Sequence, residues 1–484
     1  MAEVFRVDWF LQPVALVTGV TLAGVIWGIT FGESPLLTLL AGGLTILTVA
    51  LLWRPGQPPM LLLVATVHLL QVIAILVYAN LIGVHVDTFS DYGVNMERGT
   101  LAGIFACLAF VLGMTVGNMG APVWTTQAAQ DEASRWTPRS AFRFFGVTFV
   151  IGACFNALST ISESVRQLFL AGGGIQWIGV FVLAYVCVRR NQGYGFLAVA
   201  ILLEIVVGFT GFFGEFRNVF FALFVALAAA RPRLTFRSLL ILLAAVTAAL
   251  ILSSFWSAIK KDYRAFLNAG TKQQVVLVPW EDRLAYLARR VDEADGKTFI
   301  DGLDALARRM GYVEFLGATL NFVPDGRPHE SGAMAGAAVG HILFPRLLFP
   351  DKPPLPNDTA VTRAYTGLPM MITPGTSISI GYAGELYIDF GSYGMLAFLF
   401  ALGTSYSLAL RVVQKQSSSA LIGFGASVTL LMPGLYFETA LAKVVGGVCT
   451  SFIILILMSR FVLPFAVNAL AWKERKLVPT PWKQ

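Results

Sequence analysis

Long apolar runs recur from one end of this sequence to the other, and they decide what it can fold into. A helix of about 20 apolar residues spans the roughly 30 Å hydrocarbon core of a bilayer. A mean hydropathy of +0.71 agrees with this, as does a charged fraction of 13%, since soluble chains carry about 25%. The sequence therefore predicts an all-α polytopic membrane protein. It excludes a soluble globular enzyme, a disordered chain and a collagen-like fibre.

About twelve apolar segments are long enough to be transmembrane helices at 1.5 Å per residue. The sixth and the eighth are the shortest. Their limits are residues 10–30, 35–53, 60–83, 100–119, 144–160, 175–188, 196–213, 219–230, 238–259, 392–413, 421–440 and 444–463.

The distribution of Lys and Arg predicts the orientation, because short cytoplasmic loops collect these residues. Counted over the termini and the short loops alone, with a cytoplasmic N-terminus, sixteen of them fall inside and four fall outside, namely Arg98, Arg166, Arg217 and Lys443. We therefore expect both termini to be cytoplasmic, with the first segment acting as an uncleaved anchor because it has no small-residue cleavage site. The net charge of +7 is then a topology signal, and no nucleic-acid partner is needed to explain it.

The chain divides into three regions. Residues 1–259 form an N-terminal bundle of about nine spans, and residues 391–484 form about three more spans and a cytoplasmic tail. Between them, residues 260–390 form a large loop on the outer side that holds 14 basic and 15 acidic residues. Loops of this length are functional or disordered. Helical apolar spacing at 281–291 and 298–315 favours an ordered loop with amphipathic helices on the membrane surface or capping the bundle.

The end of this loop carries the strongest local signals. A Gly/Ala-rich segment, 332–348, is interrupted by polar residues and predicts a re-entrant or interfacial element. The stretch GHILFPRLLFPDKPPLPN (340–357) places cations in a Pro-stiffened turn, which suits a phosphate. The stretch TPGTSISIGYAGELYIDFGSYG (373–394) places Glu385 and Asp389 four residues apart, on one helical face. Two nearby carboxylates can differ in pKa and divide acid and base work.

Together, these two stretches, late in a large outer loop of a protein with about twelve spans, resemble Wzy-type O-antigen and exopolysaccharide polymerases. The resemblance in sequence covers residues 311–394. It implies a GT-C-like fold in the bacterial inner membrane, with a periplasmic loop and no metal or other cofactor. It also implies the substrates and neighbours of such enzymes. The substrates are oligosaccharides linked to undecaprenyl pyrophosphate, as both donor and acceptor, and the neighbours are a chain-length regulator and a flippase.

A departing pyrophosphate requires fixed positive charge, which the resemblance assigns to arginine in place of a divalent ion. Arg217, in GEFRNVFF, and Arg346 are the first candidates, followed by Lys352 and Arg363. Arg217 has an alternative interpretation, as a helix-end residue that extends to the lipid headgroups.

A sugar hydroxyl is a poor nucleophile and needs a base to take its proton. RPHESG (327–332) contributes His329 and Glu330, and Glu385 is a third candidate. Tyr382 and Tyr387 are candidates for stacking on sugars, although each could equally be a packing residue. Asp389 is either a sugar ligand or an acidic residue that favours a helix N-terminus.

Other functions remain open at this stage. An O-antigen ligase would use the same lipid-linked donor but transfer the glycan to lipid A core or protein. A lipid-oligosaccharide flippase belongs to another class, and transporters usually carry broken helices and polar residues near the middle of the membrane. His68 and Glu204 stand alone in apolar segments, where we expect each to be an interhelical hydrogen-bond partner.

The sequence lacks clustered metal ligands, a Walker loop and a dinucleotide-binding fingerprint, so nucleotide hydrolysis, redox chemistry and zinc catalysis are not supported. The cysteines lie in apolar runs at no metal-like spacing and are interpreted as small apolar residues. They are Cys107, Cys154, Cys187 and Cys449.

Overall fold

The structure, a computed structural model, describes residues 4–159, 166–211, 216–230, 236–271, 276–344, 349, 357–369, 377–465 and 467. Over these residues the chain is helical, with connections formed by turns and two short 3₁₀ turns. The helices are α1 (Val4–Phe31), α2 (Pro35–Leu52), α3 (Met60–Ile82), α4 (Met96–Gly117), α5 (Thr126–Ala133), α6 (Pro138–Leu158), α7 (Arg166–Gly173), α8 (Gln176–Arg190), α9 (Tyr194–Thr210), α10 (Arg217–Ala230), α11 (Phe236–Leu267), α12 (Trp280–Asp292), α13 (Gly296–Met310), α14 (Val313–Phe322), α15 (Ala333–Leu343), α16 (Asp358–Thr366), α17 (Tyr382–Gln416), α18 (Ala420–Leu431) and α19 (Leu441–Phe461).

Each predicted apolar segment overlaps one of these helices. Among the described residues, eight helical stretches are long and apolar enough to cross a membrane, and four shorter helices are also apolar. This architecture is compatible with a polytopic membrane protein, as expected. The number of spans, twelve, stays a prediction.

The segment 421–440 is not the continuous helix that its hydropathy predicts. Helix α18 ends at Leu431, a 3₁₀ turn occupies Met432–Gly434, and residues 435–440 are irregular. Pro433 accounts for the break, because proline lacks an N–H and its ring clashes with the preceding helical turn. Irregular backbone is tolerated at membrane depth only where protein or a water-filled cavity surrounds it.

Helices α4 and α17 pack with their backbones in direct contact. A Cβ added at Gly113 would lie 2.0 Å from the carbonyl oxygen of Phe400, and one at Gly403 would lie 2.2 Å from that of Phe110. Small residues allow such close approach, which is how membrane helices gain packing energy when lipid is as apolar as their side chains.

Gly113→Ala is therefore expected to destabilise the protein by about 1–3 kcal/mol, the usual cost of inserting atoms where no space exists. The measurement is thermal unfolding of the purified protein in detergent. Gly146→Ala in α6 is the matched control, because nothing lies within 4 Å of a Cβ there. Equal melting temperatures for the two variants would contradict the close packing of α4 and α17.

Residues 260–390, predicted to form a large outer loop, contain several helices over their described part. The amphipathic segments expected at 281–291 and 298–315 are α12 and α13, although the second helix ends at Met310 and α14 begins at Val313. Helix α15 occupies part of the Gly/Ala-rich segment. The region boundary predicted after residue 259 falls inside α11, because this helix continues to Leu267, past the end of its apolar stretch. The boundary predicted after residue 390 falls at Gly391, where α17 departs from helical geometry.

Candidate functional site

Helix α17 contains a sharp break that folds its first part, residues 382–390, against the rest. At the break, Gly391 has φ 66° and ψ −170°, a conformation that is essentially restricted to glycine. The rings of Phe390 and Phe398 stack with centroids 4.4 Å apart. In an unbroken helix, residues eight positions apart are separated by about 12 Å along the axis. Residues 382–390 therefore form a separate short helix.

The short helix 382–390 meets the irregular segment 435–440 inside the bundle. The backbone N–H of Tyr382 donates to the carbonyl of Thr439 at 2.8 Å. A Cβ at Gly381 would lie 2.7 Å from the carbonyl oxygen of Phe437. The irregular segment that follows α18 thus contacts the beginning of the short helix.

His68 of α3 links the 3₁₀ turn after α18 to the beginning of the short helix. One ring nitrogen, Nε2, lies 3.1 Å from the carbonyl oxygen of Gly434, and Nδ1 lies 3.0 Å from the hydroxyl of Tyr382. Because the carbonyl can only accept, Nε2 carries the proton and the Tyr382 hydroxyl donates to Nδ1. This buried histidine is the interhelical hydrogen-bond partner that the sequence predicted.

Glu385 and Asp389, expected on one helical face, each cap a different helix. Glu385 accepts a hydrogen bond from the backbone N–H of Leu441 at 2.8 Å, at the first residue of α19. Asp389 accepts from Met334 at 3.0 Å and Ala335 at 2.7 Å, in the first turn of α15. Carboxylates are stabilised by the exposed N–H groups and positive dipole end of a helix. Both side chains are buried, and a base role for Glu385 and sugar binding by Asp389 stay predictions.

The two candidate aromatic residues are also buried. The hydroxyl of Tyr387 donates to the carbonyl of Val323 at 3.0 Å, while Tyr382 is held by His68. Their positions in this structure are packing positions, and sugar stacking by either stays a prediction.

Glu330 belongs to a charged network on the loop. One of its oxygens, Oε1, accepts from the hydroxyl of Tyr365 at 2.7 Å and from Nη2 of Arg327 at 3.0 Å. The guanidinium of Arg327 also stacks on the Tyr365 ring, 4.1 Å from its centroid. The hydrogen bond from Tyr365, followed by those from Arg327, lowers the pKa of Glu330. A carboxylate held in its ionised form by these partners is a weak proton acceptor.

The lowered pKa of Glu330 predicts a pH-dependent contribution to stability. The contribution is present above the ordinary pKa of 4.5 and is lost as the pH falls through the lower folded-state value. At neutral pH we expect wild type to have a higher melting temperature than Glu330→Gln. This difference in melting temperature should shrink below pH 4.5. Glu293→Gln, which removes the partner of Arg290 on exposed α12, should show a smaller difference. A constant difference between wild type and Glu330→Gln across this range would be inconsistent with the network.

His329 is held so that one ring nitrogen is available as an acceptor. Its Nδ1 lies 3.1 Å from the carbonyl oxygen of Ile388, one of the last carbonyls of the short helix, which the break at Gly391 leaves without a helical partner. A carbonyl only accepts, so Nδ1 carries the proton. In the neutral ring Nε2 then has the lone pair. A Cβ at Gly391 would lie 3.6 Å from Nε2, in ordinary van der Waals contact, so the ring lies close to the break.

Of the four candidate cations, the described residues include Arg217 and Arg363. Arg217 begins α10, and its guanidinium carbon lies 5.7 Å from the centroid of the Tyr436 ring, in the irregular segment 435–440. Its Nε is buried, and within the described part of the chain it has no hydrogen-bond partner. Arg363 is exposed on α16. Arg346 and Lys352 lie outside the described residues.

Arg217 and His329 are associated with opposite ends of the short helix. Arg217 contacts the segment that packs on its beginning, while His329 binds a carbonyl near its end. A nine-residue helix is about 13 Å long at 1.5 Å per residue.

Sequence reasoning missed two parts of this region. Arg327 was visible in RPHESG, but only the fold brings Tyr365 to it. Lys443 forms an ion pair with Asp358, which also accepts from the hydroxyl of Ser377 at 2.7 Å. This pair ties α19 to α16 of the loop, and no local spacing could have predicted it.

Among the described residues, no group of three or more His, Cys, Asp or Glu side chains is placed to hold a metal ion. No protein-family model, curated protein or solved structure matches the chain.

Proposed function

We propose that the chain is a membrane glycosyltransferase that joins oligosaccharide repeat units carried on undecaprenyl pyrophosphate, at the outer face of the bacterial inner membrane. The observation that carries the proposal is His329, whose Nδ1 is fixed on the Ile388 carbonyl and whose Nε2 is available as an acceptor. Arg217, whose buried Nε has no partner within the described residues, is the candidate cation. The resemblance of residues 311–394 to Wzy-type polymerases supports it.

In this mechanism, the hydroxyl oxygen of one lipid-linked unit attacks the anomeric carbon of the growing chain. Nε2 of His329 takes the hydroxyl proton as the new glycosidic bond forms. The bond from the anomeric carbon to the diphosphate breaks, and undecaprenyl pyrophosphate leaves with the electron pair. Arg217 stabilises the charge that develops on the leaving group, together with Arg346, Lys352 and Arg363. Fixed donors of this kind supply the largest single contribution in many enzymes.

The experiment that tests the proposal supplies purified protein with lipid-linked repeat units alone. A polymerase makes a ladder of products, each one repeat longer than the last. A ligase makes no product until lipid A core or a protein acceptor is added. Absence of product under both conditions would contradict glycosyl transfer.

One observation favours transport as the second candidate function. Two broken helices meet at a buried histidine, and discontinuous helices form substrate sites in many transporters. A flippase for lipid-linked oligosaccharides would move labelled lipid across proteoliposomes without lengthening its glycan. The concentration of charge in the outer loop favours a surface reaction instead.

A further inference from the structure

A small cavity lies at the opposite end of the bundle from His329, on the side predicted to be cytoplasmic. It has a volume of about 40 Å³ and lies between the α2–α3 connection, the segment that follows α4, and the last turns of α17. One water molecule needs roughly 10–15 Å³ of such space, so the cavity can hold a group of several atoms. Its polar lining includes Arg54, Arg411, Gln57, Asn118 and Gln414.

Both arginines are held in place by the backbone that follows α4. Arg54 donates to the carbonyl of Asn118 and, at 3.2 Å, to that of Gly120. Arg411 donates to the carbonyl of Met119 at 3.1 Å. A guanidinium has five N–H donors, so these bonds orient the two side chains and leave donors unused on each.

The two positive charges face each other without a carboxylate between them. No Asp or Glu lines the cavity, and among the described residues neither arginine forms an ion pair. Burial, and then the like charge of Arg411, lowers the pKa of Arg54. The backbone carbonyls just after α4 offset the charges of the two guanidinium groups only in part, since a helix C-terminus carries about half an elementary charge. The pair is therefore electrostatically suited to an anion.

We propose that this cavity binds a phosphate group, presented either by an anionic phospholipid headgroup or as inorganic phosphate. Arginine forks match phosphate oxygens in geometry and bind them through charge-assisted hydrogen bonds. Apolar lining from Leu61 and Leu410 borders the polar lining, as a lipid headgroup site requires. The proposal is independent of the glycosyltransferase activity.

The test measures thermal unfolding of the full-length protein in neutral detergent with two ligands. One arm adds millimolar inorganic phosphate against chloride of matched ionic strength, and the other adds phosphatidic acid against phosphatidylcholine. We expect at least one ligand to raise the melting temperature of wild type. Arg54→Gln and Arg411→Gln should each weaken the apparent affinity about tenfold or more. The apparent affinity of Arg411→Lys should lie between those of wild type and Arg411→Gln, because lysine keeps the positive charge but lacks the paired N–H donors of the guanidinium.

The matched control is Arg190→Gln, which removes another arginine of the same predicted face that donates to a backbone carbonyl, that of Ser134. Each variant is compared with its own melting temperature without ligand, so that a loss of basal stability does not imitate a loss of binding. A response to phosphate identifies the free anion as sufficient, and a response to phosphatidic acid alone identifies the lipid. The proposal fails if neither ligand stabilises wild type, or if the Arg54 and Arg411 variants respond as fully as Arg190→Gln.

Discussion

Replacing His329 by alanine is expected to lower the rate of chain elongation by roughly a hundred- to ten-thousandfold, the range that a positioned general base contributes. The reason is specific to the fold. The carbonyl of Ile388 fixes the proton on Nδ1, which leaves Nε2 as the acceptor. The measurement is product formation from lipid-linked repeat units by the purified variant, with its melting temperature recorded alongside.

Two comparisons separate catalysis from a structural effect. His85→Ala removes another histidine of the predicted outer face, one that pairs with Asp87 and Glu97, and should retain activity. The loss in His329→Ala should appear in kcat, with KM for the lipid-linked repeat unit close to that of wild type. Unchanged elongation by a folded His329→Ala protein would eliminate the proposed base.

Arg217→Ala is expected to reduce elongation by about a hundred- to a thousandfold, or roughly 2.7–4 kcal/mol of transition-state stabilisation. Within the described residues, the buried Nε of Arg217 has no hydrogen-bond partner, and a departing diphosphate would supply an acceptor. Arg217→Lys should be faster than Arg217→Ala but slower than wild type, because lysine keeps the positive charge but lacks the paired N–H donors of the guanidinium. Arg289→Ala, on exposed α12 beside Glu293, is the control and should be close to wild type.

The same assay addresses the second predicted cation. The rate of elongation is measured for Arg346→Ala and for the double variant that carries both Arg217→Ala and Arg346→Ala. If the two arginines bind the same diphosphate, the double variant should lose more activity than either single variant. Wild-type elongation by the double variant would refute the assignment of both residues.

Hydropathy could predict where the helices are but not where they break. The segment 421–440 is apolar throughout, so its composition predicts a full span, although Pro433 is a visible warning of the interruption. The break at Gly391 was anticipated only as the start of a span at residue 392. That residues 382–390 fold back against the following helix depends on packing against α3 and the segment 435–440, which no local pattern encodes.

The site was predicted in part. Spacing placed Glu385 and Asp389 together correctly, because residues four apart share a helical face. It could not show that their carboxylates meet the first turns of α19 and α15, since those contacts join residues more than 50 positions apart. The choice among His329, Glu330 and Glu385 as base likewise needed the fold. Only tertiary contacts show that Glu330 and Glu385 accept hydrogen bonds from protein partners, while the hydrogen bond of His329 is made by Nδ1 and leaves Nε2 available.

The most direct test of the account is a structure of the protein in a lipid nanodisc with undecaprenyl pyrophosphate bound. The account predicts diphosphate density on the outer side, within hydrogen-bonding distance of the Arg217 guanidinium, with Nε2 of His329 facing the same open space. Diphosphate density at the cytoplasmic ends of the helices, or on the outer side but out of reach of Arg217, would contradict it.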